Sequence, residues 1–144
     1  MHIFTYGTLM FPQVWQAVVG RSFATVTGTL RGFAIYRVCD AVFPGIIKAG
    51  TESRVPGVVY LDVDEASLKR LDQFEDAIYC RETVMIDCHG GGVLQADAYV
   101  VPPEQFDALT DEPWCGEEFC ARGDLERFVA RYGGFRRLAG GDPQ

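Results

Sequence analysis

Residues 57–84 read GVVYLDVDEASLKRLDQFEDAIYCRETV, and the change of hydrophobic period inside this stretch decides the fold class. Gly57 to Leu61 is a short apolar run of strand-forming residues. From Val63 to Phe74 the period becomes helical, with Leu68, Leu71 and Phe74 on one face. Asp62 with Glu65 has the form of a capping box, so the spacing predicts a helix over 63–74. Strand character returns from Arg81 to Cys88 and again from Val93 to Val101. Between those two runs lies His89-Gly90-Gly91-Gly92, a strong hairpin signal.

The flanks extend the same pattern. Upstream, His2 to Tyr6 reads as a first strand ending at Gly7. Phe11-Pro12 then opens a short helix with Pro12 in its first turn, an apolar stripe of Val14, Trp15, Val18 and Val19, and a stop at Gly20. Ala24 to Phe33 is rich in threonine and valine, with Gly28 and Gly32 marking bulges or bends, and Ala34 to Val38 continues it. Phe43-Pro44-Gly45-Ile46-Ile47 reads as a loop running into an edge segment. Downstream, Pro102-Pro103 ends the sheet, followed by a short helix from Glu104 to Leu109 and a longer one over about Glu117 to Tyr132. In that last helix Phe119, Leu125, Phe128 and Val129 can cover the sheet. Short strands and a few helices in non-alternating order indicate an α+β fold with a mainly antiparallel sheet, and the strand glycines favour strong curvature or a barrel. One domain over 1–138 is expected, with 139–144 as a flexible tail.

Bulk properties narrow the function. The 144 residues suit one core-forming domain, and 48% apolar with 23% charged residues is an ordinary globular balance. A net charge of −7 opposes nucleic acid and anionic membrane surfaces as partners. No apolar run approaches the roughly 18 residues that span a bilayer. The amino terminus lacks a basic segment followed by a long apolar one, so the expected location is cytoplasmic. Oligomeric state is not readable from the sequence. Cys39, Cys80, Cys88, Cys115 and Cys120 are odd in number and irregularly spaced, a poor disulfide framework. With no CxxC pair and only His2 and His89 as histidines, buried or surface thiols are the better reading than a zinc site.

Familiar nucleophile and phosphate signatures are missing: there is no GxSxG, Walker loop or GxGxxG. A Cys39-Asp40 thiol would need a base from His2 or His89, both of which read as strand or hairpin residues. Glu75 is more informative, because it directly follows the apolar face that ends the second helix. The negative end of the helix dipole, together with burial against Phe74 and Tyr79, would raise its pKa and suit it to shuttling a proton. A solvated helix-end glutamate is the competing reading. Tyr6-Gly7-Thr8-Leu9 likewise has two readings, a plain turn or a set of convergent backbone amides able to hold a carboxylate or oxyanion. Arg81 can anchor Glu75, meet a substrate carboxylate or form a structural ion pair, and Tyr79 is either core or pocket wall.

Three stretches in order carry a resemblance: FTYGTLM at 4–10, FPGI at 43–46, and residues 57–84 with their Leu-Asp-x-Phe-Glu and Tyr-x-Arg patterns. The sequence resembles the gamma-glutamylcyclotransferase-like superfamily, in the branch of gamma-glutamylamine cyclotransferase and the plant avirulence-induced-gene proteins. That resemblance implies a small, mainly antiparallel β-barrel flanked by helices. It implies a catalytic acid/base at Glu75 and a gamma-glutamyl-binding segment at Tyr6, Gly7, Thr8 and Leu9, with Tyr79 and Arg81 also in the motif. The implied enzyme is an amidine- or amine-releasing lyase or acyltransferase. It would cyclise a small-molecule gamma-glutamyl amine or peptide to 5-oxoproline without metal or cofactor. Alternatives are another gamma-glutamyl-removing biosynthetic enzyme and a non-catalytic small-molecule-binding protein on the same scaffold.

Overall fold

A computed structural model of the chain describes residues 1–39, 44–75, 78–112 and Trp114. The expected last helix (117–132), the tail, Phe43, Asp76, Cys115 and Cys120 lie outside the described residues. In chain order the elements are β1 (Ile3–Thr5), a 3₁₀ turn (Thr8–Met10), α1 (Pro12–Val18), β2 (Thr25–Arg31) and β3 (Phe33–Arg37). They continue with β4 (Pro44–Lys48), β5 (Arg54–Tyr60), α2 (Glu65–Phe74), β6 (Cys80–Cys88), β7 (Val93–Val100) and a second 3₁₀ turn (Pro103–Ala108).

Five strands close into a barrel in the order β1-β5-β2-β6-β7. All neighbouring pairs are antiparallel except the closing seam, where β1 meets β7 in parallel through Ile3 and Asp97. The barrel expected from the strand glycines is therefore present, with mixed rather than purely antiparallel pairing. β3 and β4 form a separate two-stranded ribbon, so the 43–47 stretch is a paired strand from Pro44 onward rather than a loop.

Strand alternation sorts the apolar residues into two cores. Phe4, Tyr6, Leu30, Val55, Val59, Val84, Ile86, Ala96, Ala98 and Val100 form one cluster, with the inward parity of β1, β2, β5, β6 and β7. Residues of opposite parity (Ile3, Tyr60 and Tyr99) join Val14, Trp15 and Val18 of α1 and Leu71 of α2 in the second. The helices thus cover one outer flank of the barrel. Trp15 stacks on Tyr60 with ring centroids 3.6 Å apart and planes 4° from parallel.

Gly32 sits at φ 81 and separates β2 from β3, as the sequence suggested. Gly28 is different. It pairs in unbroken register with Gly57, so it is no bulge. A Cβ on Gly28 would lie 2.5 Å from Ile86 Cγ2, and one on Gly57 would lie 2.2 Å from the Thr5 carbonyl oxygen and 2.6 Å from the Phe4 ring. Gly57 leaves the Phe4 ring its space, and Gly28 does the same for Ile86 and the Asp87 backbone.

α2 starts two residues later than the expected 63–74, and its cap is Asp64, not Asp62. The Asp64 carboxylate accepts from the Ser67 amide at 3.2 Å and the Ser67 hydroxyl at 2.6 Å. Val63 is buried, with its amide on the Met1 carbonyl, and Asp62 takes a left-handed φ of 54. Burial of Val63 therefore fixes where the helix begins. The Ser67 hydroxyl bond holds the Asp64 carboxyl below its ordinary range. Its folded pKa is depressed, so the stabilisation is present above the unfolded value and disappears as pH falls through about 4 and below. Asp64→Ala is expected to cost about 1 kcal/mol. The mutant's melting-temperature deficit, about 3 °C near neutral pH, should shrink in acid.

The short helix expected over 104–109 is present as a 3₁₀ helix over Pro103–Ala108, with Pro103 in its first turn. Among the described helices, none is long and apolar enough to cross a membrane. Cys39, Cys80 and Cys88 are free thiols.

Candidate active site

β1 runs out at Thr5, and the chain turns through Tyr6 and Gly7 into the first 3₁₀ turn. Tyr6 continues the inward parity of Phe4, its ring centroid 6.3 Å from that of Phe4. Its hydroxyl is buried and donates to the Tyr99 carbonyl at 2.6 Å. In the turn that follows, the amides of Met10 and Phe11 donate back to Gly7 and Thr8. The amides of Gly7, Thr8 and Leu9 donate to no hydrogen bond among the described residues, although all three residues are buried. Buried N–H groups normally find partners, so three in succession are donors available to a bound negative charge.

β4 forms the neighbouring wall. Gly7 packs against Pro44 so closely that a Cβ at position 7 would lie 2.7 Å from Pro44 Cγ. Gly45 is equally tight, with a would-be Cβ 2.6 Å from Val101 Cγ2. The Tyr79 hydroxyl donates to the Pro44 carbonyl. Two stretches separated by more than thirty residues, YGTL and PGI, thus share one contact, and the segment after α2 is pinned to it.

Glu75 is the C-cap of α2, with its amide on the Leu71 carbonyl at 3.0 Å and its side chain half-buried. The expected helix-end position is therefore the observed one. Burial pushes the Tyr6 hydroxyl well above the ordinary tyrosine range, and the nearby Tyr79 and Glu75 push it further, against a partial pull from the Ile46 amide. The Tyr99 hydroxyl is raised chiefly by burial and then by Asp72, with Glu75 contributing and Arg81 opposing. Glu75 is thus an electrostatic neighbour of both tyrosines. The turn, the start of β4 and the end of α2 converge on the Tyr6 hydroxyl.

The amino-acid pattern that opens at Ile3 and runs through this convergence matches, over residues 3–116, the family described as gamma-glutamyl cyclotransferase, AIG2-like. The chain belongs to the gamma-glutamyl cyclotransferase, AIG2-like family. AIG2-like protein C of Arabidopsis thaliana is 34% identical over 128 residues, covering 88% of this chain and 73% of that protein. A solution structure of an Arabidopsis thaliana protein superposes with a TM-score of 0.69 at 26% identity, over 95% of this chain and 80% of that one. A structure described as a gamma-glutamyl cyclotransferase shares the fold at a TM-score of 0.59 and 12% identity, over 90% of this chain and 98% of that one.

On this AIG2-like scaffold the remaining motif residues fall as follows. Arg81 faces the Asp72 carboxylate at 3.6 Å and the Asp97 carboxylate at 3.8 Å, and Asp97 also accepts from Thr83 at 3.0 Å. Of the three roles open to Arg81, the ion-pair geometry is the one seen. Tyr79 spends its hydroxyl proton on Pro44, which makes it a wall that ties two segments together. Sequence reasoning did not single out Tyr60 or Tyr99. Tyr60 donates to the Leu9 carbonyl at 3.0 Å and so fixes the far end of the amide turn, its own ionisation pushed up to about 12 by burial. Tyr99 pairs directly with Arg81 across the hairpin, a register that follows once the turn is centred on Gly90. Among the described residues no group of three or more His, Cys, Asp or Glu side chains is arranged to hold a metal ion.

Proposed function

We propose that this family member is a gamma-glutamyl cyclotransferase-type enzyme that closes a small gamma-glutamyl amine or peptide to 5-oxoproline and releases the amine. The observation that carries this reading is the tie from Tyr79, four residues past Glu75, through Pro44 to Gly7 in the turn of unpartnered buried amides, with the Glu75 charge also acting on the Tyr6 hydroxyl. A proton acceptor beside an oxyanion cradle is the minimum such a reaction needs.

In this mechanism the substrate's α-ammonium loses a proton to Glu75. The resulting amine attacks the side-chain δ-carbonyl, forming the ring C–N bond. Negative charge develops on the carbonyl oxygen and is met by the amides of Gly7, Thr8 and Leu9. The ring nitrogen, cationic after attack, gives up its second proton to solvent. Collapse breaks the original amide C–N bond, and Glu75 returns the first proton to the departing nitrogen, which leaves as the amine. Nucleophile and electrophile belong to one molecule, so positioning supplies much of the acceleration.

The test is a panel of gamma-glutamyl dipeptides and gamma-glutamylamines, with 5-oxoproline measured by mass spectrometry. Stoichiometric release of 5-oxoproline and free amine from at least one substrate is expected. Calorimetric binding without product from any of them would instead identify a binding protein on the same scaffold.

A further inference from the structure

We propose that Tyr99 and Asp72 are positioning residues that set the separation between Glu75 and the amide turn, an inference that rests on the catalytic reading of Glu75. Tyr99 touches both halves of the site. Its carbonyl receives the Tyr6 hydroxyl at 2.6 Å, which fixes where the turn begins. Its own hydroxyl donates to Asp72 Oδ1 at 2.6 Å, in the last turn of α2. Glu75 follows Asp72 by three residues, almost one helical turn, and its amide closes that turn on Leu71.

Apolar and polar contacts together dock the end of α2 on the barrel. Leu71, fully buried, and Phe74, packed against the same cluster, supply the apolar contact. Asp72 supplies the polar one, clamped between the Tyr99 hydroxyl and Arg81 Nε. Arg81 is in turn steadied by Asp97, and Arg81 and Tyr99 face each other in the β6–β7 register. A hydrogen bond from a hydroxyl to a carboxylate is short, directional and stronger than a neutral one. Apolar packing is non-directional. The Tyr99–Asp72 bond adds direction, and it does so from the same residue whose backbone anchors the turn.

Loss of the Tyr99 hydroxyl should shift the carboxylate relative to the turn while leaving the barrel intact. Misplacement of a reacting group by about 1 Å costs on the order of a hundredfold in rate. With a substrate found to turn over, Tyr99→Phe is expected to lower kcat by about ten- to a hundredfold with KM changed by less than about threefold. Asp72→Asn keeps an oxygen for the Tyr99 hydroxyl and should retain most of the rate. The double variant Tyr99→Phe/Asp72→Ala should be no slower than the worse single variant, because both remove one bond. The carboxyl titration of Glu75, followed by carbon-13 NMR, should move in Tyr99→Phe. A wild-type kcat in Tyr99→Phe overturns the inference while leaving the cyclotransferase reading intact. If the unmodified protein turns over no substrate, that reading fails and the NMR titration alone decides the positioning role, an unchanged Glu75 midpoint overturning it. Asp72→Asn and Asp72→Ala carry the same comparison should Tyr99→Phe fold poorly.

Discussion

Glu75→Gln is expected to reduce turnover by about 10²- to 10⁴-fold, with little change in folding or substrate affinity. Glutamine preserves the length, the shape and one carbonyl oxygen, so the C-cap of α2 and its packing survive. What disappears is the carboxylate that, in the proposed mechanism, takes a proton from the α-ammonium and returns it to the departing amine. Both steps fail in the variant, because the same atom serves both. The measurement is kcat and KM for the best substrate of the panel, beside a thermal melt of each protein. Undiminished turnover in Glu75→Gln would remove Glu75 from the mechanism. A loss confined to KM would make it a binding group rather than a base.

The largest expected effect on stability lies elsewhere. Gly57→Ala should cost about 3 kcal/mol or more, at the upper end of the range for overpacking a core. The added methyl group would meet the Thr5 carbonyl oxygen at 2.2 Å and the Phe4 ring at 2.6 Å. The first of those is backbone of the neighbouring strand β1 and cannot swing aside. Relief requires β1 and β5 to separate, and β1 is the strand that closes the barrel against β7. Gly90→Ala makes the matched control, since a Cβ there meets nothing within 4 Å. Urea unfolding of the two variants should give a large drop in midpoint for Gly57→Ala and almost none for Gly90→Ala. Equal midpoints would mean that the barrel is looser than its packing indicates.

Much of this architecture was legible in the sequence because period and punctuation agree. The switch from strand to helix to strand across 57–84 is a local signal, as are the Gly90–Gly92 hairpin and Pro12 at the start of α1. Errors arose where tertiary packing outranks local chemistry. Asp62 and Asp64 are equally good caps in isolation, and the burial of Val63 between them selects the second. Gly28 looks like a bulge until Gly57 is seen opposite it, because a close approach between strands leaves no mark on either strand alone. Glu75 could be picked out from its place at a helix end, but its nearness to Tyr6 depends on the closure of the barrel. Tyr99 escaped notice since its importance comes from two contacts in different directions, one through its backbone and one through its side chain.

Three tyrosines around the site, Tyr6, Tyr60 and Tyr79, each spend a hydroxyl on a main-chain carbonyl, at Tyr99, Leu9 and Pro44 respectively. A carbonyl oxygen is present whatever residue carries it. The acceptor atoms at positions 9 and 44 are therefore independent of the side chains carried there. Side chains around the site can then change one residue at a time without removing these three bonds. The tyrosines hold the main-chain geometry constant while the lining is free to change.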